Sequence, residues 1–326
     1  MTKARAVVLH GFGTADVMRL ETLDLAAPGA GEVLVGQSAI GFNYIDVYQR
    51  SGIYPLPTPT GLGHEAAGTV EAIGPGVESV KVGDRVAYMN AGLGAYADKR
   101  IVPAEKLVKI PDSVTDEAAA ALLFKGMTAQ YLLRKTHAVQ PGEMIIVHAA
   151  AGGVGQILSG WGKALGAFVV GTAGSPEKCA IALKAGCDIA IDYSKPDWVK
   201  TLLATTAGRK ARVVYDSVGR TTFLQSLDLA APFGLVVSYG AASGPAPEIT
   251  MDLLNKKGCL YVTRPSVFPH NADPATFRAN AADLFTAIAS GAVKIDIGAR
   301  FKLADIVAAH QAAEARATTG AIVITP

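Results

Sequence analysis

Residues 149–155 read Ala-Ala-Ala-Gly-Gly-Val-Gly, between the apolar run Met144–His148 and a stretch that opens a helix. Aligned to G-x-G-x-x-G, the key positions are Ala150, Gly152 and Gly155, so alanine replaces the first glycine. Context says more than spacing. A buried strand, a tight turn and a helix start can together hold a pyrophosphate: small residues let the backbone approach it, and the helix N-terminus offers unpaired N–H groups with partial positive charge. The bland alternative is a strand–helix turn that binds nothing. An NAD site places an acid roughly 20 residues further on, for the ribose hydroxyls. Here the second strand ends Gly171-Thr172-Ala173-Gly174-Ser175 without one; Lys178 follows, and Tyr193 comes after the next strand. A hydroxyl and an ammonium in place of a carboxylate point to a 2′-phosphate, hence to NADPH. The other reading of Lys178 is a solvated first-turn lysine.

These residues need a scaffold of alternating strands and helices, and the pattern supplies one. Strands are expected at Met144–His148, Phe168–Gly171, Asp188–Ile191, Arg212–Tyr215 and Leu235–Tyr239, with helices from about Val154, Pro176, Pro196 and Thr221 between them. Such alternation means βαβ units and a parallel sheet, and apolar runs such as IIV and FVV suit strands covered on both faces. The first 120 or so residues read differently. Strands at Lys3–His10, Glu32–Ala39 and Gly68–Ile73 are punctuated by Pro/Gly turns, which suggests a small barrel-like β domain. A helix is expected from the acidic turn Thr115-Asp116-Glu117 to about Lys135. Beyond Pro265 come helix Pro274–Ser290, a short strand near Val293, helix Leu303–Arg316 and strand Ala321–Ile324, the last rejoining the first domain. The expected fold class is α/β, with domains at 1–122, 123–266 and 267–326, the third segment returning to the first.

The totals agree with this plan. A chain of 326 residues suits two domains. Half of its residues are hydrophobic and 18% are charged, a globular composition. With 30 basic against 28 acidic residues the net charge is +2, which argues against a dedicated nucleic-acid surface. Cys179, Cys187 and Cys259 lie far apart without CxxC spacing, which fits a reducing compartment, the cytoplasm. MTKARAVVLHGFG contains no long apolar run, so no secretory signal is expected. Met144–Gly162 lacks charge over a length that could span a bilayer, but its five glycines with His148, Gln156 and Ser159 fit a buried strand, turn and helix better, so no membrane association is expected.

Several stretches resemble the zinc-free quinone oxidoreductases of the medium-chain dehydrogenase/reductase superfamily, the zeta-crystallin-like group. They are GFNYIDVYQRSGIYP (41–55), GHEAAGTVEAIGPGV (63–77), VGDRVAY (82–88), FKGMTAQYLL (124–133), HAAAGGVGQ (148–156), WGKALGA (161–167), VYDSVG (214–219) and YVTRPS (261–266), in the family's order. The resemblance implies a GroES-like β-barrel catalytic domain, a Rossmann doubly wound domain, an active cleft between them, a homodimer, and NADPH-dependent reduction of quinones such as 1,4-benzoquinone. Position by position it assigns Asn43 and Tyr48 to the nicotinamide and acceptor cleft. Gly152, Gly153 and Val154 fall at the pyrophosphate turn, and Gly174, Ser175, Lys178 and Tyr193 at the 2′-phosphate. Tyr239, Gly240, Arg264 and Ser266 fall beside the nicotinamide half, and Arg316 where a late arginine closes on the cofactor. The chain departs from the family pattern at His64, Gln130 and Ala241.

The GHE segment also matches zinc-containing relatives, in which the His and Glu belong to a metal site. Cysteine or acidic ligands accompany them there, in the segments aligned with Asn43 and with Phe124–Lys125, and this chain has none at either place. One His and one Glu fall short of the three or four ligands zinc needs; a hydrogen-bonded His64 and Glu65 is the expectation. Without a Lewis acid, an acceptor that takes hydride readily suits the site, and a quinone does so because reduction makes its ring aromatic. Asn43 and Tyr48 either hydrogen-bond the developing hydroquinone oxygen or order their loop; the proton can come from water. Two alternatives stand beside this reading: an NADPH-dependent enoyl or enone double-bond reductase, and an NADPH-binding protein with a structural or RNA-contacting role.

Overall fold

The chain opens with β1 (Thr2–Leu9), β2 (Met18–Leu25), β3 (Glu32–Gly41), α1 (Tyr44–Arg50), β4 (Thr60–Gly61), β5 (Glu65–Ile73), β6 (Arg85–Met89), β7 (Lys99–Pro103) and β8 (Leu107–Lys109). This is a computed structural model, and it describes residues 2–294, 296–315, 317–318 and 320–326. β1 pairs antiparallel with β2 and with β4. β3 is the hub of a larger sheet: it pairs antiparallel with β5 and with β7, and β5 continues through β6 to β8. α1 has no counterpart among the elements expected from the sequence. The helix expected after Ser113 is α2 (Asp116–Tyr131), which passes into a π-helical turn at Leu132–Thr136.

Next come β9 (Met144–Val147), α3 (Gly153–Ala164), β10 (Phe168–Ala173), α4 (Pro176–Lys184), β11 (Ile189–Asp192), α5 (Trp198–Thr205), β12 (Ala211–Asp216), α6 (Phe223–Leu229), β13 (Ala230–Ser238), α7 (Met251–Lys256) and β14 (Tyr261–Thr263). All six strands are parallel, in the order β11-β10-β9-β12-β13-β14. Numbered from β9, that is 3-2-1-4-5-6, the doubly wound Rossmann order, whose switch point lies at the carboxyl end of β9. All of β9 is buried, as a central strand with helices on both faces must be.

The chain closes with α8 (Val267–His270), α9 (Pro274–Ala289), β15 (Ile297–Lys302), the 3-10 turn Leu303–Asp305, α10 (Ile306–Glu314) and β16 (Ala321–Thr325). β16 pairs antiparallel with β3 and parallel with β15, so the last strand does rejoin the first domain, in its larger sheet. The short strand expected near Val293 is not there. Val293 is a buried apolar anchor in the turn that Gly291 opens at φ 76°, and the strand begins at Ile297. The chain divides into two compact units, Met1–Met127 with His270–Ala289 and Ile295–Pro326, and Thr128–Pro269 with Ser290–Lys294. Each has its own core. Val7, Val35, Ile40, Leu62, Val86 and Ile324 are at the heart of one; Ile146, Val170, Val214, Leu227 and Val236 are at the heart of the other. Among the described residues no helix is long and apolar enough to cross a membrane.

Candidate functional site

In the parallel-sheet unit, every sequence-predicted nucleotide residue that the structure describes follows the carboxyl end of a strand. After β9 the backbone turns at Ala149, held at φ 52°, and the Gly152 N–H donates to the Ala149 carbonyl at 2.8 Å. Gly152 then caps α3, with Gly153 and Val154 in its first turn. A Cβ at Gly155 would overlap the Ala149 carbonyl oxygen and lie 2.8 Å from the Ala150 Cα. The missing first glycine is compensated on the neighbouring strand: a Cβ on Gly171 would come within 2.8 Å of the Ala150 Cβ, so an alanine fits because β10 carries a glycine opposite it. The twelve-residue helix α3 thus starts with its N–H groups at the edge of the sheet, the cradle that a pyrophosphate fits.

Gly174 and Ser175 follow β10. The Ser175 hydroxyl accepts from the Lys178 N–H at 3.3 Å and caps α4. It also bonds to Glu177, which holds that carboxyl below the usual range. Tyr193 is tied to β10 by its N–H, 2.9 Å from the Ala173 carbonyl, and its ring faces Gly174, where an added Cβ would sit 3.5 Å away. After β13, the Tyr239 N–H donates to the Asp216 carbonyl at 2.9 Å, and a Cβ at Gly240 would press on the Ser217 carbonyl at 2.6 Å. Arg264 and Ser266 follow β14 and are exposed. Arg316 lies outside the described residues.

Under the turn that follows β9 is a polar network that the sequence reading missed. His148 is fully buried; its Nδ1 is 2.7 Å from the Thr172 hydroxyl and its Nε2 3.0 Å from the Ser226 hydroxyl. Ser226 donates to the Asp216 carboxyl at 2.7 Å. A hydroxyl that donates to Asp216 accepts from His148, so Nε2 carries the imidazole proton and Nδ1 accepts from Thr172. Burial lowers the basicity of His148 and keeps it neutral. The network ties β9, β10, β12 and α6 together directly below the turn.

In the other unit, α1 carries the acceptor candidates. The Asn43 N–H donates to the Asp46 carboxyl at 2.9 Å and starts the helix. The Asn43 side chain is 2.7 Å from Glu65 Oε1 through Nδ2 and 3.0 Å from the Lys125 ammonium through Oδ1. Lys125 also donates to the Phe42 carbonyl at 2.7 Å and lies 3.5 Å from Glu65. The second Glu65 oxygen accepts from the Phe124 N–H at 2.6 Å. Gly41, at the end of β3, makes room: a side chain there would overlap the Glu65 carboxyl and the Ala120 carbonyl. His64 Nε2 is 3.0 Å from Gln49 Oε1, and burial pushes its imidazole down to about 4. Tyr48 is half-buried between Tyr44 and Tyr54, its ring edge-on to theirs at 5.2 Å and 5.4 Å, and burial raises its phenol. Lys125 was the most visible missed residue, being the one charged side chain in the stretch 118–131.

Asp46 gives a pH signature. It is fully buried with Tyr96 donating to it at 2.7 Å, and burial pushes its carboxyl from 3.8 up to about 7. The folded chain therefore holds this proton where the unfolded chain has released it, so Asp46's share of stability is lost as pH rises from about 4 through 7. Asp46→Asn cannot lose the proton. Urea unfolding at pH 5 and pH 8 should show the variant gaining on wild type at the higher pH, by an amount on the order of a few kcal/mol. An equal difference at both pH values would disprove the assignment.

A barrel-like β unit and a doubly wound unit in one chain define the medium-chain dehydrogenase/reductase class. The chain matches the families described as "Alcohol dehydrogenase GroES-like domain" over residues 29–112 and "Zinc-binding dehydrogenase" over 153–285. It is 46% identical over 324 residues to "Quinone oxidoreductase" of Pseudomonas aeruginosa, covering 99% of this chain and 100% of that one. It is 40% identical over 328 residues to "2-haloacrylate reductase" of a Burkholderia species, covering 98% of each. The crystal structure of Escherichia coli quinone oxidoreductase complexed with NADPH superposes with a TM-score of 0.95 at 43% identity, over 99% of this chain and 100% of that one. The chain belongs to the quinone oxidoreductase family of the medium-chain dehydrogenases/reductases. The zinc in the second family's description finds no suitable donor set at the GHE segment: an ammonium and a carboxamide face Glu65, and the His64 Nε2 is bonded to Gln49.

Proposed function

We propose that this chain is an NADPH-dependent quinone oxidoreductase that works without zinc. The observation that carries the reading is the Lys125 ammonium bonded to Asn43 beside Glu65. Positive charge is already fixed in the protein there, and a metal cation would be repelled from it. With no Lewis acid to activate an alcohol, the chemistry falls to an acceptor that takes hydride readily. Bound NADPH supplies the hydride. Gly152, Gly153 and Val154 hold its pyrophosphate, and Gly174, Ser175, Lys178 and Tyr193 its 2′-phosphate. Tyr239, Gly240, Arg264 and Ser266 line the nicotinamide half. Asn43 and Tyr48 meet the acceptor, and water supplies the proton. The β-barrel unit is the catalytic domain and the parallel-sheet unit the NADPH-binding domain. The protein works in the cytoplasm as a homodimer, for which β14 supports an interface: it is an edge strand, and Tyr261 on it is 62% exposed.

A second reading, reduction of an activated double bond, is favoured by the likeness to the 2-haloacrylate reductase. One experiment orders the two: NADPH oxidation against benzoquinone, naphthoquinone, an enone and crotonyl thioester. The quinones should turn over fastest, and activity should survive chelation. Alcohol oxidation with NADP⁺ and no quinone-dependent NADPH consumption would reverse the proposal.

Cofactor choice has its own test. Lys178 is half-buried at the first turn of α4, whereas the Ser175 hydroxyl is already shared with Glu177, so the lysine is the stronger phosphate donor. Lys178→Ala should weaken NADPH about tenfold, the worth of one charge-assisted hydrogen bond, and leave NADH untouched. Dissociation constants for both cofactors decide it; equal weakening would make Lys178 a structural residue.

A further inference from the structure

We propose that Lys125 is a positioning residue: with Glu65 it fixes which way the Asn43 carboxamide faces, so that one Asn43 N–H is left to meet the acceptor oxygen. The inference rests on the reading of Asn43 as an acceptor contact. It concerns a residue that itself touches no acceptor, because its three ammonium hydrogens face the Phe42 carbonyl, Asn43 Oδ1 and Glu65 Oε1, at 2.7, 3.0 and 3.5 Å.

The two ends of a carboxamide are nearly the same size, so its orientation is chosen by its partners. At Asn43 both partners are ionisable and they have opposite requirements. Oδ1 faces an ammonium, which can only donate; Nδ2 faces a carboxyl at 2.7 Å that serves as acceptor. Turning the amide over would set NH₂ against NH₃⁺ and C=O against the carboxyl, two repulsive contacts in place of two attractive ones. Water cannot soften the exchange, since Asn43 is 5% exposed and Glu65 not at all. The Phe124 N–H holds the other Glu65 oxygen, so the carboxyl cannot swing away. Nδ2 carries two hydrogens and Glu65 takes one. The second makes no hydrogen bond among the described residues, and a charge-assisted bond at Oδ1 draws density from the nitrogen and strengthens it as a donor.

Lys125→Met alone strands the Glu65 carboxyl and can unfold the protein for reasons foreign to the proposal. The test variant is therefore Lys125→Met/Glu65→Gln, which removes both charges of the pair together, and whose Gln can donate or accept, so that Asn43 can face either way. Tm, the NADPH dissociation constant, kinetics with 1,4-benzoquinone, and ¹⁵N spectra of the asparagine side chains are measured on the full chain. Only five asparagines occur, at 43, 90, 255, 271 and 280, so the spectrum is readable. The NADPH constant should be unchanged and kcat should fall roughly tenfold, about the worth of one charge-assisted hydrogen bond. The Asn43 amide pair should shift or split. In an Asn43→Ala background the double change should cost nothing more. Wild-type kcat in the double variant overturns the proposal, as does the same further loss without Asn43. If Asn43→Ala alone keeps wild-type kcat, the acceptor reading of Asn43 fails first, and the role assigned to Lys125 falls with it.

Discussion

Gly155→Ala should lower NADPH affinity about 100-fold, close to 2.7 kcal/mol, in a chain that still folds. Glycine to alanine inside a helix ordinarily stabilises by up to about 1 kcal/mol, so a loss here runs against propensity. The reason is local. The new methyl would overlap the Ala149 carbonyl oxygen and crowd the Ala150 Cα, and both are backbone atoms that cannot rotate away. Ala149 is itself held in the left-handed region at φ 52°, with its carbonyl bonded to the Gly152 N–H, so the turn has no slack. The first turn of α3 must lift from β9, and its N–H groups no longer converge on one anion. Gly152→Ala is the control: its Cβ would meet the same oxygen at 3.2 Å, a contact that a small shift relieves, and its loss should be several-fold at most. Fluorescence titration with NADPH, with circular dichroism to verify the fold, measures both. A Gly155→Ala dissociation constant within threefold of wild type would show that the turn yields more easily than its geometry says.

This half of the molecule was legible because its signals are local. Strand, turn and helix follow one another between Met144 and Ala164, and apolar runs with Gly/Pro punctuation placed β9 to β12 to within two residues; β13 starts five residues before the expected Leu235, and the short edge strand β14 was missed. Strand order was not legible: β9 lies between β10 and β12 only because the crossovers change direction there, and no residue marks that choice. The compensation between Ala150 and Gly171 was hidden for the same reason, since parallel pairing alone brings the two together.

The β-barrel unit was less legible. Asn43, Glu65 and Lys125 are 22 and 82 positions apart along the chain, and they meet because β3, β5 and α2 are packed in one unit. Spacing rules have no purchase on such a contact. A signal did exist: a lone lysine in the apolar helix stretch 118–131 needs an acceptor if it is buried, and a carboxyl in an apolar GHEAAG strand needs a donor. What the sequence could not supply was that each is the other's partner. The same limit explains the open choice for Asn43. In the structure it orders the start of α1 through its backbone, while Nδ2 gives one hydrogen to Glu65 and its other hydrogen makes no hydrogen bond among the described residues.

Asp216→Ala should be the most destabilising single substitution considered, costing more than about 4 kcal/mol or leaving the protein insoluble. The carboxyl is fully buried at the end of β12 and accepts from four groups: the Val218 N–H at 2.8 Å, the Gly219 N–H at 2.9 Å, the Thr222 hydroxyl at 2.9 Å and the Ser226 hydroxyl at 2.7 Å. Truncation removes the acceptor and strands all four donors, and each buried orphan costs about 1–3 kcal/mol before relaxation. Damage should then spread toward the cofactor side. Ser226 without Asp216 can turn its own hydrogen toward His148, which no longer has a reason to keep its proton on Nε2, and the Thr172 contact beside the turn after β9 loses its fixed direction. The Gly219 turn, held at φ 87° and starting α6, loses its anchor as well. Asp216→Asn separates acceptor loss from shape. It keeps one oxygen of the same size but points NH₂ at groups that themselves donate, so it should recover part of the loss, not all. Urea unfolding of the three proteins at one pH orders them wild type, Asp216→Asn, Asp216→Ala. An unfolding free energy for Asp216→Ala within about 1 kcal/mol of wild type would mean that water or a rearranged loop satisfies those donors, and that the network under the turn is not what holds it.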